Sequence, residues 1–518
     1  MSEPGTFREV VDAHAKARPG APFLFAPEVG QVLDYATLAR TCRALGAALA
    51  SRRIPPGATV SFMLDNGVSA ATIFLGAMYG GYVVSPINLH AQDAQLEYTL
   101  THSETRIVFA SQALEARLAA LRAKAKASFD ICIVGLDGLD LSAARDALPL
   151  HPEGGEACGE GVTSSPNDPA MLMYTSGTTG MPKGVLLSHA NMLSGARAVA
   201  ASLALGPDDR VLSSLPLYHV NGQCIATLAP LVSGGSIVMP HRFSATQWWP
   251  LVERYRPTWL NMVPTIIAYL LNGPDLTPAH ADAARGIRFG RSASAPLPPE
   301  QHRAFEARFG FSVIEAMGLT ECSSVAFSNP LERSERKYGS AGRPVGVEAR
   351  VVDREGKAVA DGVQGEIELR GPNVMRGYFK APEASAVTLR AGEWLATGDL
   401  GHRDADGFYF ITGRLKELII KGGENIAPRE IDEALLAHPA VLEAAAVGVP
   451  DTAYGQEILA CVVVKPGATL REDELRAHCL ATLGRYKTPR YLRFVDALPK
   501  GASGKVQRLK LVEIGEAR

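Results

Sequence analysis

Apolar positions recur at helical spacing over Phe7–Ala17 and Tyr35–Arg52, so both segments are expected to be amphipathic helices lying on a core. Thr59–Met63 and Arg106–Ala110 are short, nearly unbroken apolar runs, as in strands buried on both faces. The longest apolar stretch, Ala71 to Val84, is interrupted by Gly76, Gly80 and Gly81. It falls short of the roughly 20 residues a membrane span needs, and predicts a buried helix over 72–79 followed by a strand Tyr82–Ser85. Strand and helix patterns alternate in this way to about residue 330, which predicts an α/β fold of parallel sheets covered by helices. Beyond that the texture changes. Ala349–Val352, Gly365–Arg370 and Phe408–Thr412 read as strands joined by turns such as Asp404-Ala405-Asp406-Gly407, a β-rich subdomain.

Two joints interrupt the pattern. Residues 150–169 are rich in Gly, Glu and Ser and read as a surface connection into a strand, Ala170–Tyr174. The second joint is Gly413–Glu417. Past it, Leu418–Lys421, Leu442–Gly448, Ile458–Val464 and Tyr491–Phe494 read as strands, and Pro428–Ala437 and Asp473–Leu483 as helices. The expected organisation is a large N-terminal domain, 1–415, and a small mobile α+β C-terminal domain, 416–518. Internal repeats and coiled-coil heptads are absent from the sequence.

Charge and cysteine content narrow the function classes. Lys+Arg 52 against Asp+Glu 54 leaves a net charge of −2, which argues against a bulk electrostatic grip on nucleic acid or anionic membrane. The 7 cysteines form no CxxC pair and are odd in number, so no disulfide framework is expected. The first residues hold no apolar core of a signal peptide. A reducing, cytoplasmic setting follows as the expectation, with oligomeric state left open.

The strongest local feature is Tyr174-Thr175-Ser176-Gly177-Thr178-Thr179-Gly180-Met181-Pro182-Lys183-Gly184. Glycines let backbone N–H groups turn towards one point, hydroxyls add donors and a lysine adds charge, so the loop suits a polyphosphate. Its spacing is not that of a Walker A loop. This segment resembles the signature loop of the adenylate-forming superfamily, which includes acyl-CoA synthetases, peptide-synthetase adenylation domains and firefly luciferase. Further motifs resemble that family's, in the family's order. They are Met317-Gly318-Leu319-Thr320-Glu321, Thr397-Gly398-Asp399, Gly413-Arg414-Leu415-Lys416 and the C-terminal Ser503-Gly504-Lys505.

The resemblance implies ATP, Mg²⁺ and coenzyme A as cofactors and a small carboxylic acid as substrate. By the same resemblance Thr175, Ser176, Gly177, Thr178, Thr179, Gly180 and Lys183 hold the outgoing phosphates. Thr320 contacts the α-phosphate, and Glu321 carries Mg²⁺, a hard cation that prefers oxygen. Met317 stands where the family has an aromatic residue against adenine. Asp399 accepts the ribose hydroxyls with Arg414 assisting, Gly422 lines the pantetheine path, Lys416 is the hinge and Lys505 the catalytic lysine.

Tyr218, His219, Asn221 and Gly222 look like the wall between the acid pocket and the thiol tunnel, with His219 either a gate or a structural residue. Ser292, Ala293 and Ser294 resemble the segment beside the acyl chain. Ala293 in place of the usual glycine and the Ser294 hydroxyl argue for a short or polar acid. Arg291 pairs with a second carboxylate if it points inward and is a surface residue if outward; strand alternation allows both. The later motifs look most like those of oxalyl-, malonyl- and carnitine-type CoA ligases. The alternatives are transfer to a separate carrier-protein thiol and an inactive nucleotide-binding homologue.

Overall fold

The computed structural model describes residues 3–125, 128–139, 164–175, 181–500 and 506–516. Local rules set the helix starts. Phe7–Ala17 opens on a capping box in which Thr6 and Glu9 satisfy each other's backbone N–H groups, and Tyr35–Ser51 opens on the Asp34 carboxylate. The apolar stretch after Gly67 becomes the helix Val68–Tyr79, every residue of which is buried, and then the strand Val83–Pro86. A helix apolar all round belongs between layers, and this one sits there.

The described strands form four sheets. The largest runs from Gln31–Asp34 and Pro22–Ala26 at one edge through Trp259–Met262, Phe289–Ser292 and Val313–Met317 to Arg343–Pro344 at the other. The second centres on Thr59–Met63, Val83–Pro86 and Pro169–Thr175. In a smaller third sheet Trp394–Arg403 pairs with Gly365–Arg370 and with Tyr409–Arg414. One continuous apolar cluster joins all three, including Phe289, Phe62 and Ile367.

The expectation of parallel sheets holds at their centres but not at their edges. Pro169–Thr175 pairs antiparallel with Lys183–Ser188, as do Val313–Met317 with Phe327–Ser328 and Pro22–Ala26 with Gln31–Asp34. The connections there are too short for the crossover that a parallel pair requires. Only the end of the connection at 150–169 falls within the described residues.

The fourth sheet, Ile419–Lys421, Glu424–Ile426, Val441–Asp451, Gly455–Val464 and Tyr491–Phe494, carries apolar clusters of its own. Its central hairpin runs past the expected stop at Gly448 to a turn in which Asp451 accepts the N–H groups of Ala453 and Tyr454. Pro450 is tolerated there because Val441–Asp451 is an edge strand.

Candidate functional site

Thr175 ends one strand of a hairpin and Lys183 begins the other, so the two are cross-strand partners at the hairpin mouth. Ser176, Gly177, Thr178, Thr179 and Gly180, which form its tip, lie outside the described residues, as does Lys505. Lys183 Nζ sits 4.7 Å above the Tyr378 ring, and the Tyr378 hydroxyl donates to Glu321 Oε1 at 3.0 Å. Burial, with the Glu321 carboxylate beside it, raises the Tyr378 phenol well above its ordinary value, so it remains a donor.

Glu321 belongs to the tight turn Thr320–Cys322 that follows Met317. Gly318 is required before it, since a Cβ there would lie 1.2 Å from Ser324 O. Ser323 and Ser324 both take positive φ, 53° and 97°, a conformation costly for residues with a side chain. The buried Asn373 amide holds this turn by donating to Cys322 O and Val325 O. Thr320 is buried and Met317 half-buried at the strand end.

Asp399 and Arg414 are register partners on neighbouring antiparallel strands. Arg414 Nε donates to Asp399 Oδ1 at 2.7 Å, while Asp399 Oδ2 is buried with no hydrogen-bond partner. Asp399 is 3% exposed, so an unpaired oxygen there is costly unless a ligand hydroxyl meets it.

On the other side of Met317 lies a polar group under a wide helix. Asn221–Leu228 is a π-helix, closed at its end by the Ala229 N–H donating to Cys224 O; such widened turns concentrate at functional sites. Gly222 is needed at its start, because a Cβ would come within 2.4 Å of Pro216 O. Asn221 Nδ2 donates to Ser294 Oγ at 3.0 Å, and Asn261 Nδ2 donates to Asn221 Oδ1 at 3.0 Å. Ser294 has φ +75°, and Ala293 beside it is buried.

Arg291 is register partner of Asn261 and Ile314, so it shares their face of the sheet, towards the π-helix and Cys224. Ser292 falls beside Met262 and Glu315 on the opposite face, away from Arg291. Burial pushes Glu315 up to about 7, although its Oε1 accepts the Leu297 N–H. Tyr218 and His219 are half-buried just before the π-helix; burial raises the Tyr218 phenol to about 12, and His219 Nδ1 accepts the Asn221 N–H.

Residues 11–379 match the AMP-binding enzyme model, and 430–505 match the AMP-binding enzyme C-terminal domain. The chain belongs to the AMP-binding enzyme family. It is 53% identical to the sulfoacetate–CoA ligase of Cupriavidus necator over 98% of this chain and 97% of that one. ATP-bound MatB from Rhodopseudomonas palustris superposes with a TM-score of 0.88 at 32% identity, each chain 99% covered. Apo MatB, at the same identity and coverage, gives 0.77.

In this AMP-binding enzyme Lys416 is exposed in the short turn Leu415–Glu417 between the third and fourth sheets. Gly422 is exposed at φ +56°, in the turn that joins Ile419–Lys421 to Glu424–Ile426. A cleft of 990 Å³ separates the two sheets, lined from one side by Tyr338 and Arg354 and from the other by Asn425 and Lys487. Tyr378, Asn261 and Asn373 were not singled out from the sequence. Each reaches the site through a partner remote along the chain, so no local spacing marks it.

Proposed function

We propose that this AMP-binding enzyme is an AMP-forming acid–CoA ligase acting on a short, polar carboxylic acid. The observation that carries the reading is the buried Asp399, one oxygen committed to Arg414 and the other left for a ligand hydroxyl. It stands in a chain that matches the family over both of its parts. The name of the sulfoacetate–CoA ligase relative supports an acid of this kind.

In the first step the carboxylate oxygen attacks the α-phosphorus of ATP and the bond to pyrophosphate breaks, giving an acyl-adenylate. In the second the CoA sulfur attacks the acyl carbonyl carbon and AMP leaves. The protein positions the reactants and offsets phosphate charge. Thr175, Lys183 and the hairpin tip take the β- and γ-phosphates, Thr320 the α-phosphate, and Asp399 the ribose. Lys505 bridges carboxylate and α-phosphate in the first step. Glu321 would hold Mg²⁺, which would supply charge neutralisation for the phosphates. Among the described residues no group of three or more His, Cys, Asp and Glu is gathered to hold a metal alone, which fits an ion that shares its ligands with phosphate.

Lys505 and the pantetheine arm need the same space in successive steps, so we assign residues 416–518 to a domain that rotates about Lys416, bringing Gly422 to the acid. The closer likeness to ATP-bound than to apo MatB supports an adenylate-forming arrangement here. Proline at 416 would fix φ near −65°. Lys416→Pro is expected to keep pyrophosphate release on mixing with acid and ATP while acyl-CoA formation nearly stops; equal loss of both steps would refute the hinge.

Among the described residues no helix is long and apolar enough to cross a membrane, and the cysteines described as free are buried. A cytoplasmic location, where ATP and CoA are supplied, fits both, and cell fractionation tests it. The reading itself is tested by incubating the protein with ATP, Mg²⁺ and sulfoacetate, oxalate, malonate, crotonate or benzoate, with and without CoA. AMP and acyl-CoA in equal amounts are expected. Activity with a carrier-bound pantetheine but not with CoA would favour the carrier alternative, and no pyrophosphate from any acid would overturn the proposal.

A further inference from the structure

Arg291 is 2% exposed. Among the described residues no carboxylate pairs with its guanidinium, and Nη1 has no hydrogen-bond partner. Other charged arginines differ: Arg508, largely buried, lies on Asp432 and Glu417, and the more exposed Arg414 lies on Asp399. Its register neighbours Asn261 and Ile314 are uncharged. Cys224, which faces it from the π-helix, cannot serve as counter-ion, since burial raises that thiol to about 12 and keeps it neutral. Arg291 itself is lowered only to about 10 by burial, so it is a cation at neutral pH.

A lone buried cation is expensive, and several kcal/mol is the usual scale for such a group without its partner. The surroundings do not relieve it. Asn261 Oδ1 is also unpartnered, and Asn221 and Ser294 are neutral, with Asn221 donating to Ser294 Oγ and accepting from Asn261. Those bonds, at 3.0 Å, tie the start of the π-helix to the strand Trp259–Met262 and to Ser294, just past the strand Phe289–Ser292. What the surroundings of Arg291 lack is negative charge.

We propose that Arg291 is the recognition group for a second anionic substituent on the acid, so that the substrate is a short dianion: the carboxylate to be adenylated plus a sulfonate or a second carboxylate. This rests on the ligase reading above. Adenylation consumes the charge of one carboxylate, and the other anion stays on Arg291 through both steps. A simple monocarboxylate of similar size would leave the guanidinium unpaired, and a site that leaves its own buried polar group unpaired discriminates strongly.

The test compares wild type, Arg291→Met and Arg291→Lys with sulfoacetate, malonate, acetate and butyrate, followed by pyrophosphate release. Binding is followed separately, by the shift in melting temperature that each acid produces in the presence of a non-hydrolysable ATP analogue. In Arg291→Met, kcat/KM for the dianions is expected to fall about 100-fold relative to the monocarboxylates, mostly in KM, with the dianion-induced shift lost and partly restored by Arg291→Lys. Sulfoacetate and malonate in parallel show which second anion the site takes. A dianion-to-monocarboxylate ratio within threefold of wild type, or a dianion shift intact in Arg291→Met, would overturn the assignment while leaving the ligase reading intact. Pyrophosphate release by wild type from none of the acids would instead overturn the ligase reading, and a missing dianion shift in wild type would overturn this one.

Discussion

Asp399 and Arg291 are both buried, both charged and both set on sheet strands, yet only Asp399 has a protein partner of opposite charge. Across the nucleotide side the pattern repeats. Glu321 accepts from Tyr378, and Lys183 lies over the Tyr378 ring. Each charge there is partly answered before a ligand arrives, and ligand atoms complete the set. On the acid side Arg291 faces only neutral groups. The difference teaches where specificity resides. On the proposed reading, a nucleotide half that supplies its own partners would serve any acid, whereas an acid half with one unanswered charge would admit the acid that answers it.

The sharpest way to break this comparison is Asp399→Ala. It removes one member of a hydrogen-bonded charge pair, a change that costs about 2–5 kcal/mol in comparable sites, or roughly 30- to 4,000-fold. The expected result is a loss of that size in kcat/KM for ATP, equal for every acid tested by pyrophosphate release. A loss that depended on the acid would show that the two halves are not independent. Tyr378→Phe is a smaller change, since it keeps the ring beneath Lys183 and removes only the donor to Glu321. Loss of one hydrogen bond to a charged group, about 1.5–3 kcal/mol, should lower kcat/KM for MgATP by roughly 10- to 100-fold and leave KM for the acid unaltered. A Mg²⁺ titration in which the variant matches wild type would remove Tyr378 from the site.

The smallest effect is also the most discriminating in sign. Replacing a buried charge that lacks a partner by an apolar side chain of similar volume is often stabilising. Arg291→Met should therefore raise the melting temperature of the ligand-free protein by about 2–5 °C, even as it removes turnover of dianionic acids. A fall of similar size, measured by calorimetry, would mean that Arg291 holds the fold together and that its charge is answered within the protein.

The groups of the proposed nucleotide half could be paired from the sequence because several of them lie close along the chain. Asp399 and Arg414 face each other across one hairpin, whose turn Asp404–Gly407 is itself readable. Thr175 and Lys183 bracket another. Strand and helix types followed from periodicity, which depends on burial of one face or both and so survives without knowledge of the partner. Gly365–Arg370 and Tyr491–Phe494 fall where the pattern puts them. Edge pairing, the full reach of the hairpin Val441–Asp451 with Gly455–Val464, and the π-form of Asn221–Leu228 depended on neighbours that local pattern does not register.

The sequence by itself determined the family's motifs and the presence of an arginine before Ser292-Ala293-Ser294, because those are facts of order along the chain. It did not determine where that arginine points. Alternation along a strand says only that Arg291 and Ser292 face opposite ways. Which of the two lies under the π-helix was decided when that helix came to lie over the face that carries Asn261, with Asn221 bonded to it. Tyr378 likewise meets Glu321 only because Gly377–Tyr378 adds a strand beside Lys183–Ser188. Burial, and with it the meaning of a charge, is a property of surfaces brought together, so it belongs to the tertiary structure.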